Sequence, residues 1–128
     1  MSDMPKSIAK PPDRSLSSAM TSALIVLSTA SKREEAEKIA KALVEEKLAA
    51  CVNLIPQMES RYGWKGKIET GSEVLMIIKT LRPQFKKLSK RLHELHSYEV
   101  PEILALPVTL GSPAYLSWME KSLKKSGR

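Results

Sequence analysis

The chain has 128 residues, 42% of them hydrophobic and 27% charged, which is the size and make-up of one compact domain and excludes disordered or fibrous classes. Its 21 basic and 14 acidic residues leave a net charge of +7, and the excess is concentrated. Residues 79–96 carry +5 and residues 119–128 carry +3, against a neutral middle. No apolar run approaches the roughly 20 residues of a membrane helix, and one cysteine, Cys51, excludes an internal disulfide or a cysteine-built zinc cage. A reducing compartment, the cytoplasm by default, fits that usage.

Residues 1–22 hold Pro5, Pro11, Pro12 and many serines without a periodic apolar face, so they read as a flexible N-terminal leader, and deleting residues 1–20 should leave folding and oligomeric state intact. Organelle targeting is the alternative for this segment, disfavoured by its single Arg and two Asp. Leu24–Leu27 is an aliphatic run suited to a strand covered on both faces. Ser31 with Glu34 forms a capping-box pattern, and Ala36, Ile39, Ala40, Leu43, Val44 and Leu48 recur at helical spacing, predicting an amphipathic helix. Cys51–Ile55 reads as a second strand halted by Pro56, and Arg61–Lys65 resumes it with Tyr62 and Trp64 on one face. Turn residues at Gly66 and Thr70-Gly71 precede a long aliphatic strand over 73–80, so an antiparallel pair is expected. Pro83 opens a second helix with Phe85, Leu88, Leu92 and Leu95 inward and Lys86, Lys87, Lys90 and Arg91 outward. A fourth strand is expected over 102–110, where Pro107 signals an edge, a bulge or a strand end. Gly111-Ser112-Pro113 starts a short last helix, and residues 125–128 form a basic tail.

The order β-α-β-β-α-β plus one helix over residues 23–124 predicts an α+β, ferredoxin-like domain with an antiparallel sheet. That order is shared by RNA-recognition domains, but Glu73–Lys79 offers no aromatic for stacking bases, so nucleic acid is not expected as a partner. Phosphate-loop, dinucleotide and hydrolase signatures are absent, and no acid and base pair stands out, so an enzyme is not expected. Cys51, His93, His96, Glu99 and Glu102 are the only loose set of metal-ligand types, and a thiolate with imidazole suits copper or zinc. The plainer reading makes Cys51 a small buried hydrophobe and the two histidines complements to a helix C-terminus. Tyr62, Trp64, Tyr98, Tyr115 and Trp118 gather near turns and the last helix, and a long hairpin with aromatic ends predicts burial against other subunits.

The segments Ala49-Ala-Cys-Val-Asn-Leu-Ile-Pro56, Tyr62-Gly-Trp-Lys-Gly-Lys67, Glu73-Val-Leu-Met-Ile-Ile-Lys-Thr80, His96-Ser-Tyr-Glu-Val-Pro-Glu-Ile103, Leu106-Pro107 and Tyr115-Leu-Ser-Trp118 resemble the CutA divalent-cation tolerance family, in unbroken order from about residue 23 to 124. The resemblance implies a homotrimer with PII-like strand pairing, a cytosolic role in tolerance of copper and other divalent cations, no required cofactor and no membrane insertion. It also implies a metal set of His96, Glu99 and Cys51 from neighbouring chains and an intersubunit cleft with Lys67, Tyr98 and Glu99, open to a small anionic ligand. Tyr62, Trp64 and Trp118 are the expected interface residues. The bacterial copper positions resembling this chain, a cysteine ending the first strand and two adjacent histidines, fall here on Ser28, Leu95 and His96; Ser97 replaces the proline that follows. His96 alone carries over.

Overall fold

The computed structural model describes residues 21–124, so most of the expected leader and the whole basic tail lie outside the described residues. Thr21 and Ser22, grouped with the leader by composition, belong to the domain. The Thr21 hydroxyl donates to the Val108 carbonyl, and the Arg82 amide donates to the Ser22 carbonyl at 2.7 Å.

Strand β1 (Ala23–Ala30), helix α1 (Arg33–Glu45), strands β2 (Cys51–Trp64) and β3 (Lys67–Leu81), helix α2 (Phe85–Leu95), strand β4 (Leu104–Pro107) and helix α3 (Pro113–Ser122) follow in that order. The four strands form one antiparallel sheet in the order β2-β3-β1-β4, the expected ferredoxin-like arrangement. Alternation along the strands divides the side chains between two faces. Leu24, Val26, Val74, Met76 and Ile78 meet Ala36, Ile39 and Leu43 of α1 and Leu88 and Leu92 of α2 in the main core. These helical residues are the ones the apolar spacing marks, and all are buried.

The other face is only partly covered. Helix α3 closes one end, where Met119 and Leu123 pack with Ala23 and Ala50, joined by Leu81, Tyr115 and Trp118. Register places Leu106, Ile25, Lys79 and Cys51 in one row across this face and Leu104, Leu27, Ile77 and Asn53 in the next. Leu104 and Leu106 are 58% and 50% exposed, far more than core leucines.

Strands β2 and β3 outrun the sheet. Strand β1 pairs with β3 only over Val74–Leu81, so Lys67–Glu73 have β2 as their single neighbour. A two-stranded ribbon has little apolar surface to bury and is marginal alone; residues 61–70 are all exposed. The turn is Lys65-Gly66, both at positive φ (51° and 79°), the backbone that a two-residue hairpin turn requires and that Gly66 adopts without a Cβ penalty.

Several local expectations change. Strand β2 is continuous rather than halted at Pro56, because the register shifts between Ile55 and Met58 and leaves Pro56 and Gln57 (φ 61°) opposite Val74 alone. A bulge tolerates a residue without an N–H, and one extra residue swaps the faces. Met58, Ser60, Tyr62 and Trp64 thereby point the same way as Asn53 and Ile55. Thr70 and Gly71 are paired strand residues, opposite Arg61 and Ser60, not a turn. The capping box is not made. Strand β1 runs on to Ala30, the N-cap is Lys32 with no side-chain cap bond, and Ser31 stays exposed. Pro83 sits in a 3-10 turn, Arg82–Gln84, ahead of α2. Strand β4 is shorter than 102–110 because β1 offers it partners only over Leu24–Leu27. Pro107 lies at its end, on an edge strand. Ser112 caps α3 by accepting from the Tyr115 amide at 3.2 Å. No helix among the described residues is long and apolar enough to cross a membrane.

Candidate functional site

The polar groups collect where β1 ends, α1 begins and the chain leaves α2. His96 follows the last turn of α2 in an extended conformation, so its ring folds under the end of β1 instead of joining His93 on the helix surface. Its side chain is fully covered. Nε2 lies 2.6 Å from the Thr29 carbonyl, and the Tyr98 amide donates to Nδ1 at 3.0 Å. A carbonyl only accepts and an amide only donates, so the ring is the Nε2–H tautomer with both nitrogens engaged. The Glu35 carboxylate, 3.7 Å from Nδ1, accepts from the Ser97 amide at 2.6 Å and from the Ser97 hydroxyl at 3.1 Å. The segment after α2 is thus tied to α1 and β1 together.

Tyr98 extends the network. Its ring lies 4.6 Å from that of His96, and its hydroxyl donates to Glu73 Oε2 at 2.7 Å. Burial and the Glu73 carboxylate together push the Tyr98 phenol up to about 12. Burial works to raise Glu73 as well, but the Ser60, Tyr98 and Thr29 hydroxyls around it win and hold its carboxyl below the ordinary value. Both groups are therefore stabilised as the phenol–carboxylate pair. Removing the donor in Tyr98→Phe should cost about 1 kcal/mol. The sign fixes the window. A lowered carboxyl stabilises above its unfolded value and loses this as pH falls through the folded one; a raised phenol stabilises below its unfolded value and loses this as pH rises. Urea midpoints of wild type and Tyr98→Phe should differ most near neutral pH and converge as pH falls through the lowered Glu73 carboxyl value or rises through the Tyr98 value of about 12.

Beside Glu73 a shallow cleft of ≈ 420 Å³ is lined by Ser31, Arg33, Pro56, Gln57 and Ser72, so the bulge helps to shape it. Sequence patterns did not single out Glu35, Glu73 or the cleft; the Ser31-Glu34 spacing and Pro56 were the only nearby signals.

The expected metal residues separate. Cys51, a half-buried free thiol, pairs with Lys79, whereas Thr29, which holds His96, pairs with Leu75. Four residues of strand offset these places by about 13 Å along β3, and they lie on opposite sides of that strand. Glu99 is exposed. Among the described residues no group of three or more His, Cys, Asp or Glu could hold a metal ion, and the residues of one chain do not fit a closed cation site. Of the expected cleft set, Tyr98 lies in the network, while Lys67 is exposed at the hairpin turn opposite Trp64. Tyr62 and Trp64 are 50% and 59% exposed; Trp118 already packs on Tyr115, 5.3 Å between ring centres, inside its own subunit.

The same backbone occurs in known proteins. A CutA from Xylella fastidiosa superposes with a TM-score of 0.80 at 38% identity, over 81% of this chain and all of that one. The divalent cation tolerance protein (Cut A1) of Thermus thermophilus gives 0.78 at 45% identity, over 80% of this chain and 99% of that one. In sequence, the CutA of Escherichia coli is 44% identical over 84% of this chain and 96% of its own length. The chain spans little more than half of some relatives, 59% of an Arabidopsis thaliana CutA described as chloroplastic. Residues 24–122 match the family described as CutA1 divalent ion tolerance protein. With the ferredoxin-like order, the long hairpin and the motifs around Cys51, Trp64 and His96 all falling inside that match, the chain belongs to the CutA1 divalent ion tolerance family.

Proposed function

We propose that this protein works as a homotrimeric divalent-cation tolerance protein of the cytoplasm that binds copper-type ions at its subunit boundaries and is not an enzyme. The observation carrying the proposal is the uncovered side of the sheet, where Leu104, Leu106 and, beyond the bulge, Tyr62 and Trp64 remain half exposed. Apolar surface of this kind favours a partner, and copies of one chain close most simply into rings. Cation binding belongs at the boundary because Cys51 lies on that open side while Glu99 is free at the surface. His96 is a poor first choice for coordination. An ion would have to displace the Thr29 carbonyl or the Tyr98 amide from its ring.

Calorimetric titration of the assembled protein with Cu(II) and Zn(II) tests this. One ion per subunit is expected, with binding weakened at least about tenfold in Glu99→Gln or Cys51→Ser. Unchanged affinity in both variants would remove the assignment.

The cleft lined by Ser31, Arg33 and Gln57 favours a second reading, a PII-like sensor or scaffold that takes a small anionic ligand or partner protein there, with Lys67 supplied by a neighbour. Thermal-shift screening against nucleotides and small carboxylates separates the two, since a native-state ligand raises the midpoint whether or not metal is present.

A further inference from the structure

The two helices that cover the main core carry their surface charge differently. On α1 two of the three cations are partnered one turn apart, Arg33 with Glu37 at 2.9 Å and Lys41 with Glu45 at 3.5 Å, and only Lys38, beside Glu34, Glu35 and Glu37 on the same helix, forms no ion pair among the described residues. On the segment 82–91 there are five cations and no acid. Only Arg91 is neutralised, by Glu46 at 3.0 Å and by Glu94 at 3.3 Å. Arg82, Lys86, Lys87 and Lys90 are exposed and form no ion pair among the described residues.

That placement opposes local helix physics. Lys86 and Lys87 occupy the first turn of α2, which holds no acidic residue and whose N-cap, Gln84, makes no side-chain cap. Positive charge there meets the positive end of the helix dipole. Lys86 with Lys90, and Lys87 with Arg91, add like charges four residues apart, on one face. Arg91 apart, the cluster forms no ion pair among the described residues, and a partner of opposite charge would relieve it.

We infer that the outward face of α2 docks an acidic peptide segment of a partner protein, whose carboxylates meet Arg82, Lys86, Lys87 and Lys90. A lipid surface is disfavoured because the exposed residues of α2 include no apolar side chain to insert and do include Glu94. A nucleic acid is disfavoured because Phe85, the one aromatic of the helix, packs on the core, and because three of the four cations are lysines, without the planar fork that grips phosphate. Lys86 and Lys90 lie one turn apart, about 6 Å along the axis, the spacing of carboxylates four apart on an acidic helix. The inference is independent of what the subunit boundary binds.

Fluorescence anisotropy of a labelled oligoglutamate peptide titrated with the full chain tests it. Binding at low salt is expected, weakened at least about tenfold in Lys86→Glu/Lys90→Glu and left unchanged by Lys38→Glu, an exposed α1 cation. The double variant should melt no lower than wild type, because glutamate complements the helix dipole; if it does not fold, Lys86→Gln/Lys90→Gln carries the comparison. Absence of binding to the wild type, or an equal loss in Lys38→Glu, overturns the inference. So does preferential binding of a single-stranded oligonucleotide, or of vesicles of equal parts phosphatidylserine and phosphatidylcholine, lost in the same double variant.

Discussion

Trp64→Ala should leave the subunit folded and weaken its assembly. Trp64 stands beside the hairpin turn, next to Lys65-Gly66, with 59% of its surface open and the Lys65 ammonium 5.9 Å from the ring centre. No core of its own subunit reaches that far along the ribbon, since β1 stops pairing at Val74. An indole left this open contributes little to a lone chain, whereas an aromatic anchor buried between chains often contributes about 2 kcal/mol or more, repeated at each symmetric contact. Sedimentation of Trp64→Ala over a broad dilution series should therefore show dissociation at protein concentrations where the wild type stays assembled. A variant that melts earlier yet remains assembled at every dilution would mean that Trp64 only caps its own hairpin.

His96→Ala should be the most damaging single change at the polar cluster, by about 3 kcal/mol. It empties the space of a fully covered ring and orphans two backbone groups, the Thr29 carbonyl and the Tyr98 amide. A buried polar group without a partner loses its hydration without compensation. Two partial mimics apportion the effect. His96→Gln can still donate toward Thr29, and His96→Asn can still accept from Tyr98, so each should recover part of the loss. Urea unfolding at fixed protomer concentration measures all three, because assembly makes stability depend on concentration. If Gln and Asn are as damaging as Ala, shape rather than hydrogen bonding holds the ring in place.

The main core was legible from spacing because Ile39, Leu43, Leu88 and Leu92 each obey the helical period of their own segment. The order of strands and helices along the chain followed from the same local patterns. What local pattern could not supply was anything set by pairing between distant segments. The bulge at Pro56-Gln57 exists because β3 provides one residue where β2 provides two, and Pro56 alone looks like a strand end. The Ser31-Glu34 motif has the right spacing for a cap, yet Lys32, with extended backbone, takes the N-cap position and the helix starts one residue later, out of step with that pair. His96 shows the limit most clearly. Its three-residue distance from His93 suggests a shared helical face, but the helix ends at Leu95 and the ring turns inward to a strand 67 positions away in sequence. No local spacing marks Glu35 or Glu73, which meet Ser97 and Tyr98 only through the fold.

If the uncovered sheet face associates, sedimentation equilibrium of the full chain, free of added metal, reads it out. The expected result is a single species of three subunit masses, each 14.3 kDa, that persists on dilution. A monomer at every concentration would rule out a homotrimer, because Leu104, Leu106, Tyr62 and Trp64 would then remain half exposed with no second copy to cover them.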